Sequence, residues 1–432
     1  MSLLYQILSI LNRFLWNGPL LILLFGIHCL FTIRLHFIQR HLPDAIRISC
    51  EGQKKQGFRS LTTALAATLG TGNIVGVSSA VALGGPGAVF WCWLTGLFGM
   101  ATAYAECYLC MIYRKENSDG ALRGGIMYVL EYALKSKNAG RLFAFLLLTA
   151  SFGIGCSTQA GTVSETVSAI TGIAPAVTGI LLILCVGYVI LHGSAAIKKF
   201  CSILVPAMAV LYLAACIIIL VINYRYIFPA FRLILSSAFT PTAAIGGIAG
   251  GSFLFSARYG IARGLFTNEA GIGTAPLAFT EQKESSPEKA ALLSMSAVFW
   301  DTIVLCALTG IVIISSLLRE PSLAEAYTAT TLTSAAFSFL PFGEILLGIS
   351  LICFAYATLI GWSYFGAQAV TYLFGTGALS TYRICYLGMI FIGSVLSLPL
   401  IWEMTDFINA CMVLPNICAL FLLRDRIKPP KP

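Results

Sequence analysis

The apolar run from Ser60 to Trp91 is interrupted at its centre by Gly70-Thr71-Gly72-Asn73, and this interruption restricts the fold more than any other stretch. Glycine and small polar residues are poor helix formers, so a membrane helix breaks there. Backbone N–H and C=O groups freed at membrane depth are costly unless protein, water or a ligand satisfies them. Irregular backbone therefore has to line a cavity. Two half-helices meeting at such a joint offer positive N–H ends on one side and negative carbonyl ends on the other. That pair of ends suits a zwitterion and a cation.

The premise that this stretch lies in a bilayer rests on composition. Hydrophobic residues make up 58% of the 432-residue chain and charged residues only 10%, with a mean hydropathy of +0.87, outside the range of soluble domains. The 14 cysteines are scattered through apolar segments without zinc-like or paired spacing, and read as small hydrophobes. The first apolar run has no small-residue cleavage site after it, so it is read as an uncleaved first helix.

Apolar segments of about bilayer-spanning length lie near 16–34, 60–83, 87–112, 141–168, 175–192, 201–222, 240–262, 290–317, 341–373, 384–401 and 405–423. The expected fold is thus an all-α polytopic membrane protein with eleven transmembrane helices. Alternate loops collect 22 of the 27 Lys and Arg, with Arg263 counted among them. By the positive-inside rule the N-terminus is outside and the C-terminus cytoplasmic, the setting being the cytoplasmic membrane of a bacterium. The net charge of +9 follows from this topology and from a basic face on membrane lipid, with no call for nucleic acid.

Setting the first span aside leaves ten, divisible into two sets of five. The expected organisation is an added helix and basic loop (1–58), a first five-helix repeat (59–222), a second, inverted repeat (223–423) and a basic tail (424–432). The second set opens with TPTAAIGGIAGGSFLFSARYGIA, residues 240–262, which carries Gly246-Gly247 and Gly250-Gly251. Broken spans at matching positions of inverted halves point to a transporter's central site, although glycine also marks ordinary helix packing.

Several ordered motifs now bear on identity: GTGNIVGV, GGPGAVFWCW, Tyr104-Ala105-Glu106, VPAMAVLY, RGLFTNEAGIGTAP, FWDTIVLCALTG, GWSYFG and LPN (414–416). Together they resemble the alanine/glycine:cation symporter family, over about residues 58–423. The resemblance implies the leucine-transporter architecture, a five-plus-five inverted repeat with two broken helices, and transport of alanine or glycine with sodium as coupling ion and no other cofactor. It implies a substrate site at Thr71, Gly72 and Asn73, with Gly250, Gly251 and Ser252 at the second joint. Gln159 would face the substrate and Trp362 would close over a small side chain. Sodium would meet the carbonyls of Ala66 and Leu69, the amide oxygen of Asn73 and the hydroxyl of Thr358, hard oxygens that suit an alkali cation.

The sequence departs from the family pattern at Gly161, Ala357 and Ala367, and each departure removes an oxygen. Coupling to protons therefore stays open beside sodium. Among ionisable residues in or near spans, His28 is read as structural, and Arg258, Glu269, Asp301, Glu106 and Glu165 as buried ion pairs or gate latches rather than substrate contacts. No GxSxG, HExxH or GxxxxGK[ST] motif occurs, which removes the common enzyme classes. A channel is the rival from another class, since a broken polar helix also lines selectivity filters. Two broken helices in opposite orientation favour a carrier. The oligomeric state is not legible.

Overall fold

The computed structural model describes residues 3–16, 18–50, 56–116, 120–239, 253–282, 285–323, 331–396 and 398–430. Its helices, in chain order, are α1 (Leu3–Trp16), α2 (Pro19–Arg34), α3 (Leu42–Cys50), α4 (Gln56–Thr68), α5 (Val75–Gly84) and α6 (Gly87–Ile112). Then follow α7 (Lys137–Phe152), α8 (Thr158–Thr171), α9 (Pro175–Ile190), α10 (Ser194–Ile222), α11 (Tyr224–Ser237) and α12 (Phe253–Asn268). The remainder are α13 (Pro287–Val298), α14 (Ala307–Arg319), α15 (Leu332–Phe337), α16 (Gly343–Phe374), α17 (Leu379–Val395) and α18 (Leu398–Leu422). A two-residue hairpin, Lys115–Glu116 against Leu122–Arg123, is the sheet among the described residues.

Eight continuous helical stretches are long and apolar enough to cross a membrane, and α4 with the bent segment Thr71–Gly84 makes a ninth, kinked by 64°. Apolar exteriors follow from the lipid setting; specificity comes from small residues that let backbones approach. Gly260 and Gly264 on α12 show this. A β-carbon at either would collide with Ala88 or Thr95 of α6, and α12 packs extensively along that helix. Glycine here serves close contact, and the helix continues unbroken through both positions.

That continuity corrects one count. Arg263 lies within α12 and lines a cavity, not a cytoplasmic loop, because the helix runs on to Asn268 before it ends. Wide π turns (i→i+5), which sequence reading did not anticipate, join α7 to α8 at Gly153–Ser157 and α13 to α14 at Phe299–Cys306. Both lie beside the break at Gly70 and are of the kind that recurs at functional sites.

Candidate functional site

Helix α4 ends at Thr68, Gly70 is extended, and a tight turn at Thr71–Asn73 leads into α5. The turn's own bonds, Asn73 N–H to Gly70 O (3.4 Å) and Ile74 N–H to Thr71 O (3.3 Å), are long. The N–H groups of Thr71 and Gly72 sit at its amino end, where intrahelical acceptors run out. Asn73 stitches the break together: its Oδ1 accepts the Gly70 N–H at 3.0 Å, and its Nδ2 donates to Asp301 Oδ1 at 2.7 Å. Asp301 and Cys306, both near this amide, are carried by the π turn Phe299–Cys306.

Three sequence-predicted residues converge on Gly70. A β-carbon there would lie 3.0 Å from Thr358 Oγ1 and 3.7 Å from Gln159 Oε1. Thr358 donates to Leu69 O at 3.2 Å and to Phe354 O at 3.0 Å. Across the same contact, Gly361 of α16 packs on the Ala66–Ala67 backbone, so the carbonyl end of α4 and the Thr358 hydroxyl share one small region. Gln159 donates to Ile154 O at 3.2 Å. Its Oε1 and the Thr71 hydroxyl are buried without a hydrogen-bond partner, the arrangement expected of groups that wait for a ligand.

A cavity of about 1020 Å³ ends on Thr71 and Gly72. It runs along α5 past Val75 and Ser79, with Glu165, Arg263, Glu344, Glu403 and Asp406 on its walls. On α16 the cavity wall stops at Leu351, before Thr358. Trp362 therefore sits one turn below Thr358, fully buried and keyed against Gly155, where a β-carbon would strike its ring. The tryptophan is not among the residues that line the cavity.

The glycines expected at the second joint, Gly250 and Gly251 with Ser252, lie outside the described residues. The described second break is at residues 269–274, after α12, where Glu269, Gly271 and Gly273 have φ of +52°, +95° and +90°. The residues this helix presents to Gly72 are Thr267 and Phe266, whose Cγ2 and ring would lie 3.0 and 3.5 Å from a β-carbon at position 72. Sequence reading missed both, although the signal was present in Gly271-Ile272-Gly273-Thr274, a Gly-x-Gly run like that of the first break.

The acidic residues are held differently from the ion pairs expected. Glu269 accepts from the Thr274 hydroxyl, and Asp301 from Asn73 and Thr302. Arg258 lies over the Tyr259 ring instead. A true ion pair closes the opposite face of the molecule: Lys198 at the start of α10 meets Glu281 at 2.6 Å. Gln368 donates to the same carboxylate at 2.6 Å, and Arg123 donates to Gln368 at 3.3 Å. Burial pushes the Glu281 carboxyl up, but the Lys198 ammonium together with the hydrogen bonds from Lys198, Gln368 and Tyr364 outweighs it and holds the group below the ordinary carboxylate range.

The sequence profile of the sodium:alanine symporter family matches residues 1–429. The chain belongs to the sodium:alanine symporter family. It is 42% identical to a sodium/alanine symporter, AgcS, of Methanococcus maripaludis, over 97% of this chain and 94% of the relative. It is 35% identical to a probable sodium/glutamine symporter, GlnT, of Bacillus subtilis, over 98% of this chain and 89% of that one. In three dimensions it resembles MhsT, solved with L-phenylalanine, at a TM-score of 0.59 and 16% identity, over 84% of this chain and 88% of that one. That likeness shows the leucine-transporter-like fold. The chain is a multi-pass membrane transporter and not an enzyme.

Proposed function

We propose that the chain imports a small neutral amino acid, glycine or alanine of either hand (L or D), together with sodium, by alternating access. The observation that carries this reading is the buried, unpartnered pair of Thr71 Oγ1 and Gln159 Oε1 at the break where the cavity ends. In this reading the N–H groups around Thr71 and Gly72 take the substrate carboxylate, and Gln159 Oε1 accepts from the ammonium. Phe266 borders the side chain from the cavity side, with Trp362 below. Ala66, Leu69 and Thr358 supply oxygens to sodium. Asn73 Oδ1, already bonded to Gly70 N–H, joins them only if that bond loosens. Phe266 and Thr267 stand in this reading where the sequence pointed to Gly250, Gly251 and Ser252.

The same reading takes the chain as eleven spans in a five-plus-five inverted repeat with the boundaries given above, the N-terminus and the cavity outside and the C-terminus cytoplasmic. A relative named for glutamine makes pocket volume, not fold, the determinant of substrate. The test is uptake of labelled alanine into proteoliposomes, with competition by unlabelled amino acids, sodium replaced by choline, and the proton gradient collapsed. Accumulation against a gradient that requires sodium and is blocked by alanine and glycine but not leucine supports the proposal. Uptake that survives choline and fails when the proton gradient collapses points to a proton-coupled carrier, and equilibration without accumulation to a channel.

A further inference from the structure

The second break is as buried as the first, so its freed backbone groups need partners. Two side chains from different helices supply them. Gly271 N–H donates to Glu106 Oε1 of α6 at 2.9 Å, and Gly271 O accepts from Asn416 Nδ2 of α18 at 2.7 Å. Asn416 Nδ2 also donates to Glu106 Oε1. Glu106 and Asn416 are both wholly buried. Their other oxygens, Glu106 Oε2 and Asn416 Oδ1, are buried with no hydrogen-bond partner.

This bonding is lopsided in an informative way. The two hydrogen bonds both fall on Oε1, with the Gly273 N–H as a further backbone donor close to the carboxyl but completing no bond to Oε2; a carboxylic acid is held in this way, its carbonyl oxygen accepting and its other oxygen carrying hydrogen. The charges nearby agree. The titratable groups that face Glu106 are Glu269 on the break, Cys107 and Cys110 on α6 itself, and His28 of α2. His28 is bonded through Nδ1 to Thr102 at 2.7 Å and lies against Gly271. The polar groups that α13 and α18 bring here are Ser294, against Cys107, and Asn416. No lysine or arginine pairs with the carboxyl among the described residues. An ionised carboxylate buried without a counter-charge, beside a second carboxylate, costs several kcal/mol. One proton removes the uncompensated charge.

We propose that Glu106 is a protonation site of the transport cycle, carrying a proton in this conformation and releasing it to water when the second break rearranges. The step transfers H⁺ from the carboxyl to water and changes no other bond. The proposal rests on the alternating-access reading for its role in the cycle, but the protonation itself is testable without transport. Infrared spectra of the purified, membrane-reconstituted protein at neutral pH should show the C=O stretch of a buried carboxylic acid. That band should be lost in Glu106→Gln and kept in Glu269→Gln. Should Glu106→Gln fail to insert, Glu106→Asp keeps the acid and should shift the band. Absence of the band in wild type, or a band unmoved by either Glu106 variant, overturns the proposal. In proteoliposomes, Glu106→Gln, which has no proton to release, should lose the pH dependence of whatever sodium-driven uptake remains; an unchanged pH profile overturns the role in the cycle.

Discussion

Gly72 is where the two breaks touch, and the contact is tight enough for a single methyl to matter. A β-carbon at position 72 would lie 3.0 Å from Thr267 Cγ2, closer than the roughly 3.5–4.0 Å at which carbon pairs attract. Thr267 cannot swing away freely, because its hydroxyl is bonded to Gly264 O at 2.9 Å. Overfilling a packed site by one methyl costs about 1–3 kcal/mol, or about 5- to 140-fold at roughly 1.4 kcal/mol per decade. Gly72→Ala should therefore lower the initial rate of alanine uptake at sub-saturating substrate by that factor, in proteoliposomes normalised for inserted protein. Thr267→Ser removes the offending Cγ2 and keeps the hydroxyl, so the ring of Phe266 at 3.5 Å becomes the nearest neighbour of the new methyl. The double variant should recover to within about twofold of Thr267→Ser alone, the scatter of non-interacting sites. Gly72→Val, with two more methyls directed at the same contact, should abolish uptake. A double variant no better than Gly72→Ala, or wild-type uptake by Gly72→Ala, would refute the idea that closeness of the two broken helices at this point governs transport.

Thr358→Ala should raise the sodium concentration for half-maximal uptake, because it deletes the hydroxyl beside the Leu69 carbonyl; Thr358→Ser should not. Unaltered sodium dependence in Thr358→Ala would remove this residue from the ion site. Trp362→Ala opens a void against Gly155, so alanine uptake should weaken while leucine becomes a competitor; continued exclusion of leucine would count against the size argument. With this face cytoplasmic, as in the proposed orientation, Lys198→Ala should expose it, read as about 5- to 30-fold faster labelling of Ser363→Cys from that side in a background lacking Cys185, Cys385 and Cys418, the factor for about 1–2 kcal/mol. Because the folded-state carboxyl of Glu281 is depressed, its contribution is complete above the ordinary carboxylate value and is lost only as pH falls through the lower one. Labelling of Ser363→Cys with Lys198 intact, corrected for the thiolate fraction at each pH, should accordingly be constant across neutral pH and rise only in acid, and a rise of the corrected rate near neutrality would contradict this assignment.

The first break was legible because its glycines and its capping asparagine are adjacent in sequence: Asn73 returns to Gly70 across three residues. The second was not, because glycine has two uses that look alike in a sequence. Gly260 and Gly264 are bare so that α6 can approach, whereas Gly271 and Gly273 are bare because their backbone is left-handed. Density of glycine drew attention to residues 246–251, which lie outside the described residues; for the glycines described, only neighbours in space distinguish packing from breaking. Asp301 was visible as an acid in a span, but its bond to Asn73 joins positions 228 residues apart, which no local pattern encodes. Gln159 and Thr358 were reached through family resemblance; their convergence on Gly70 is a tertiary fact.

The π turn at Phe299–Cys306 holds one residue more than an α-helical path of the same rise would need. Removing a single residue from it would relax the turn to ordinary α geometry without shortening the membrane crossing appreciably, since each residue contributes only about 1.5 Å. The helix would still insert, but residues of the turn beyond the deletion would each take a neighbour's place, about 100° further round the axis. Asp301 and Cys306 would then no longer both face Asn73. The chain thus contains a position where loss of one codon would spare the scaffold and disconnect the break from its neighbour.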